Sequence, residues 1–131
     1  MAVRVVDTNV FSFVLRRHSL AKLYVPHLAG QSLLVSFMSV AELYEWGIQR
    51  NWGSARWANL HAMLSGYLIV PSDDVLCLRW AQVRCERRAI PIATDDAWIA
   101  ATALVRGADL ITHNPGDFRG ITGLNIITEA P

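Results

Sequence analysis

The sequence predicts an α/β domain built on a mainly parallel sheet. Short apolar runs recur at Val3–Val6, Leu33–Ser36, Leu68–Val70, Leu110–Thr112 and Leu124–Ile127. Longer stretches of mixed polarity separate them, each long enough for a helical crossover. Nothing divides the chain: there is no repeat, low-complexity stretch or linker, so residues 1–131 are expected to form one domain.

The elements follow in order. Residues 3–6 read as a buried strand that ends at Asp7. Residues 9–17 and 19–29 read as short helices, the second stopped by Gly30. A second strand covers 33–36. A helix over 39–50 turns Leu43, Trp46 and Ile48 inward, and another covers 54–65 up to Gly66. Strand 68–70 stops at Pro71. Ser72-Asp73-Asp74 opens a helix reaching about Arg88, with Val75, Leu78, Ala81 and Val83 as apolar positions. Residues 96–106 form a strongly apolar helix ended by Gly107. Residues 110–112 and 124–127 supply the last strands.

Composition sets limits on function. Apolar residues make up 53% of the chain, which points to an apolar interface beyond the core. No run approaches the roughly 18 apolar residues of a membrane span. The first residues are too quickly charged for a secretory signal, so a cytoplasmic protein is expected. The net charge of +1 announces no bulk affinity for nucleic acid. Eleven of the twelve basic residues are Arg, a side chain suited to bidentate phosphate contacts. Cys77 and Cys85 lie about 12 Å apart along a helix at 1.5 Å per residue, too far for a disulfide. They are expected to be buried small apolar residues. No Cys or His cluster has zinc-ligand spacing.

The acids carry the chemistry. In such sheets ligands bind beyond the carboxyl ends of the strands. Asp7 follows the first strand, Glu42 and Asp96 stand near helix starts, and Asp117 sits in a turn after a late strand. Each has a structural alternative. Asp7 could cap the next helix. Ser39 and Glu42 have the spacing of a capping box. Of the pair Asp95 and Asp96, Asp95 is assigned the cap and Asp96 the site. Asp117 could serve the Pro-Gly turn, with Asn114 filling its place. Asp73 and Asp74 read as caps alone. Carboxylates gathered on one rim repel one another unless a cation is bound. Oxygen donors without His or Cys suit Mg²⁺ or Mn²⁺.

Four segments in this order resemble the PIN-domain VapC toxins: Asp7-Thr8-Asn9-Val10, Ser39-Val40-Ala41-Glu42-Leu43, Asp96 to Leu104, and Thr112 to Phe118 followed by Gly123-Leu124. The resemblance implies a PIN-like α/β/α sandwich and a Mg²⁺- or Mn²⁺-dependent endoribonuclease. It implies a cognate VapB-type antitoxin and a homodimer. Asp7 and Asp96 would be the metal ligands, with Glu42 and Asp117 completing the acidic set. Thr8, Thr112 and Asn114 would support them. Products would carry a 5′-phosphate and a 3′-hydroxyl, with tRNA or ribosomal RNA as possible targets.

RNA approaching a negative pocket needs basic residues at its rim. Arg16, Arg17, Arg50, Arg56, Arg84, Arg87 and Arg88 are the candidates. Trp46, Trp52 and Trp57 cluster near one helix junction and are expected to anchor a core or an antitoxin groove. Two other functions fit the same residues less fully. One is a housekeeping PIN-type RNA-processing nuclease. The other is a nonenzymatic binding module whose acids only cap helices.

Overall fold

The computed structural model describes residues 1–131. Five strands form one parallel sheet: β1 (Val3–Val6), β2 (Ser32–Ser36), β3 (Leu68–Val70), β4 (Asp109–Ile111) and β5 (Ile126–Ile127). Their order is β3-β2-β1-β4-β5, with every neighbouring pair parallel. The chain winds outward from β1 to β3, then crosses back to lay β4 on the other side of β1. That reversal opens a crevice above the ends of β1 and β4, where α/β sheets bind their ligands.

Strand periodicity sorts the core into two layers. Successive side chains point to opposite faces. Val5, Leu34 and Leu110 enter one cluster; Val6, Val35 and Ile111 enter the other. The first cluster is covered by α5 (Asp74–Glu86) and α6 (Thr94–Arg106). The second lies under α1 (Thr8–Leu15), α2 (Ala21–Leu28), α3 (Phe37–Gln49) and α4 (Ser54–Leu64). The result is the α/β/α sandwich that the resemblance implies, on the parallel sheet the sequence predicts.

Local signals explain most boundaries. Gly107 ends α6 in the left-handed region, φ +61°, where a Cβ would be strained. Asp73 caps α5 by accepting the Leu76 N–H at 2.8 Å. Two expectations shift. Helix α3 begins at Phe37, because the Ser36 hydroxyl accepts the Met38 N–H at 3.1 Å and acts as the cap. The capping box therefore does not form, and Ser39 turns into the interior. A short 3₁₀ helix, Pro115–Phe118, occupies what reads as a plain turn.

Burial corrects three further readings. Val75 and Leu78 on α5 are 61% and 62% exposed, and Leu76 and Val83 face the core instead. Ile48 on α3 is 70% exposed. Cys77 and Cys85 are exposed free thiols, not buried ones. They fall one and two positions past Leu76 and Val83, off the inward stripe. No helix is long and apolar enough to cross a membrane.

Candidate active site

The first site residue follows directly from β1. Asp7 continues the sheet by donating its N–H to the Ile111 carbonyl at 2.9 Å. Its side chain then caps α1, accepting the Thr8 N–H at 2.7 Å through Oδ1. The other oxygen, Oδ2, accepts the Thr112 hydroxyl at 2.7 Å. Thr112 is held in turn by the Asn114 N–H at 3.0 Å. Only 5% of Asp7 is exposed, so both oxygens are fixed in place. Capping and site position prove compatible: one oxygen caps while the carboxylate stays at the rim.

Thr8 joins this strand end to α3. Its hydroxyl donates to Glu42 Oε1 at 2.8 Å and lies 2.7 Å from the buried Ser39 hydroxyl. Ser39 therefore supports Thr8, a role its sequence position does not disclose. Glu42 is half-buried, and the charge of Asp95 acts on it. Asp95 and Asp96 occupy the first turn of α6, whose cap residue is Ala93 with no side-chain cap bond. So Asp95 does not cap α6. Its charge acts on Asp7, Glu42 and Asp96, which makes Asp95 a fifth acid of the cluster.

Asp117 is exposed on the 3₁₀ helix, and its charge reaches both Asp7 and Asp96. Arg87, at the end of α5, fastens this turn. Its Nη1 donates to the carbonyls of Asp117 at 3.1 Å and Arg119 at 2.8 Å, while Nε donates to the Ile90 carbonyl at 2.9 Å. Arg84 donates to the Ile92 carbonyl and lies over the Trp80 ring. Arg88 is exposed. Arg16, Arg17, Arg50 and Arg56 line a groove on the other layer, together with Trp46 and Trp52. Trp52 and Trp57 meet edge to face, 5.4 Å apart, and close over Gly47.

The electrostatics report crowding. Burial pushes the Asp7 carboxyl up from 3.8 to about 6. The Thr112 and Thr8 hydrogen bonds oppose that rise, and the charges of Asp117 and Asp95 add to it. Asp96 rises to about 7, first through burial and then through Asp95, Asp7 and Asp117; Arg87 pulls it down. Burial also raises Glu42, the Thr8 hydrogen bond opposes that rise, and the charges of Asp95 and Asp7 add to it. No three acidic, histidine or cysteine side chains stand close enough to form a ready chelate. The donor chemistry still fits a hard divalent ion, because carboxylate oxygens converge by charge with no competing nitrogen or sulfur.

Comparison with known proteins gives this arrangement a family. The PIN domain model matches residues 4–124. Ribonuclease VapC1 of Haemophilus influenzae strain R2866 is 30% identical over 129 residues, covering 93% of this chain and 94% of that protein. Plasmid stability protein StbB of Pseudomonas syringae pv. tomato is 34% identical over 132 residues, covering 92% and 94%. Among solved structures, VapBC2 from Rickettsia felis, bound to a DNA fragment from its promoter, superposes with a TM-score of 0.84 at 20% identity, covering 96% of this chain and 98% of that one. Conserved architecture and full-length similarity agree, and the chain belongs to the PIN domain family, within its VapC branch.

Proposed function

We propose that this protein is a Mg²⁺- or Mn²⁺-dependent endoribonuclease toxin, neutralised by a VapB-type antitoxin. One observation supports it above the others. Asp7, Glu42 and Asp96 come from three separate segments, and beside burial the charges that raise their proton affinity are those of the neighbouring acids, Asp95 and Asp117 among them. Helix caps alone have no reason to converge. Perturbed acids gathered in a cleft mark functional sites.

Asp7 and Asp96 would hold the metal, with Glu42 and Asp117 beside them. When bound, the ion supplies charge neutralisation at a scissile phosphate and at the crowded acids. The protein supplies placement. Thr112 and the Thr8 N–H fix Asp7, so it needs no reorganisation. Thr8 orients Glu42 through Oε1. Burial and the charges of Asp95 and Asp7 raise the proton affinity of Glu42, which suits it to accept a proton from a nearby water. Arg87 keeps Asp117 facing the same opening.

The named relatives support the partner. One is a ribonuclease, and the structural neighbours include VapBC complexes. A homodimer belongs to the same reading. Leu68 and Ile69 on the edge strand β3, and Val75 and Leu78 on the helix after it, expose apolar surface that a second copy would cover.

The test is cleavage of total bacterial RNA by antitoxin-free protein, with Mg²⁺ and with EDTA, beside Asp96→Asn. Discrete metal-dependent fragments, absent from the variant, are expected. Folded protein that cleaves nothing under either condition would overturn the reading.

A further inference from the structure

Arg16, Arg17, Arg50, Arg56, Trp46 and Trp52 face one groove of about 590 Å³ between α1, α3 and α4. No carboxylate lines it. The chain's ion pairs are Arg4 with Asp109 and His27 with Glu129, so none of these four arginines has an acidic partner. We infer that this groove is a binding tract for the single-stranded RNA flanking the cleavage point. Its arginines hold phosphates and its tryptophans offer ring faces to bases. The inference rests on the nuclease reading above.

Three observations carry it. First, two of the helices that line the groove, α1 and α3, also carry residues of the acid cluster or its support. Arg16 lies eight residues after Thr8 on α1, and Arg50 eight after Glu42 on α3. Both helices therefore lead from the acids to a cation about 12 Å further on, the span of a few nucleotides. A strand crossing the acids passes from a negative rim to a positive one.

Second, the fold does not account for all four charges. Arg16 and Arg50 end α1 and α3, where a cation favours the helix dipole. Arg56 stands in the first turn of α4, where a cation opposes it, and no acid shares that turn. Arg17 takes φ +53° as part of the turn that ends α1, where its own N–H and that of His18 bond back to Val14 and Phe13, but its exposed charge serves no contact in that turn. The place of Arg56, unfavourable to the free protein, suits an anionic ligand.

Third, the aromatic groups are set for stacking. The Arg50 guanidinium lies over the Trp46 ring, 5.4 Å from its centroid, and Trp52 is braced by Trp57. Cations interleaved with held indole rings bind single strands without sequence preference.

The experiment uses full-length Asp96→Asn protein and a fluorescein-labelled oligouridylate, with affinity measured across a salt series in EDTA. Each phosphate contact on a single strand contributes about 0.7 to the log–log salt slope. R17Q/R56Q, which removes two exposed cations, is expected to flatten the slope by about 1.4. W46L is expected to weaken binding about fivefold or more with the slope kept. R79Q/R106Q, on the opposite layer, should keep the slope. An unchanged slope in R17Q/R56Q overturns the tract, as does an equal loss in both double variants or no binding of the probe at all. If R17Q/R56Q keeps its RNA affinity but loses binding to poly-glutamate, the groove belongs to an acidic protein segment. RNA cleavage by the unsubstituted protein reports separately on the nuclease reading.

Discussion

Thr112 and Asp7 meet at 2.7 Å across 105 residues of sequence, hydroxyl to carboxylate, at the carboxyl ends of two neighbouring strands. This bond gives a buried acid half of its hydrogen bonding. Thr112→Val keeps the shape and removes the donor. The protein should lose about 1.5–3 kcal/mol of stability at pH 8, the range for hydrogen bonds to charged groups, and less at pH 5. Thr112→Ser should restore most of it. Urea unfolding at both pH values is the check; equal losses at the two would show that Asp7 does not feel the hydroxyl as a charge.

The raised acids fix the sign of the pH dependence. Asp7 and Asp96 bind protons more tightly folded than unfolded, with folded values of about 6 and about 7 against 3.8. The stability these two acids contribute without metal should therefore be fully present below about pH 4, fall as pH rises from there through about 7, and level off above it. The buried Asp7 alone corresponds to on the order of 3 kcal/mol. Mg²⁺ should raise the melting temperature at pH 8 and hardly at pH 5. Melts that rise with pH in EDTA would contradict the crowding.

Asp96 and Asp73 both stand at helix starts, and substitution should separate them. Asp73→Ala removes a cap bond and should cost about 0.5–2 kcal/mol with nuclease activity intact. Asp96→Asn should abolish cleavage while leaving stability at pH 8 unchanged or higher, because repulsion is relieved. Parallel melts and RNA cleavage assays decide it.

Arg87 spans three carbonyls that no lysine can reach together. Arg87→Lys should loosen the turn around Asp117, speed amide exchange at Phe118 and Gly120, and weaken activity. A loss of about 1 kcal/mol is expected, given the modest net value of exposed hydrogen bonds. Unchanged exchange would mean the turn holds itself.

Gly47 has no room for a side chain. A Cβ there would stand 2.5 Å from Trp57 and 2.8 Å from Trp52. Gly47→Ala should destabilise by about 1–3 kcal/mol through forced repacking and shift tryptophan emission to the red.

The sheet was legible because its strands are short continuous apolar runs, as burial on both faces requires: Val5 enters one layer and Val6 the other. Asp7 and Asp96 were legible because a strand end and a helix start both read locally. Helix α5 was not. Val75, Leu76, Leu78, Ala81 and Val83 surround it with apolar residues, so periodicity could not choose a face. Packing against α6 chose Leu76, Trp80 and Val83. Ser39 and Asp95 were misread for a different reason. Each matches a capping pattern, yet Ser39 is taken by a contact with distant Thr8, and Asp95 leaves the cap to Ala93 while its charge acts on Glu42 and Asp7.

The central position of β1 also sets a schedule for the protein's birth. Its neighbour β4 and the hydroxyl of Thr112 are made more than a hundred residues after Asp7. At about 5–20 residues per second, roughly 5–20 s pass between them. A nascent chain carries Asp7, Thr8 and Glu42 through that interval with the middle of its sheet unpaired on one side. It can hold no assembled acid cluster until synthesis is nearly over.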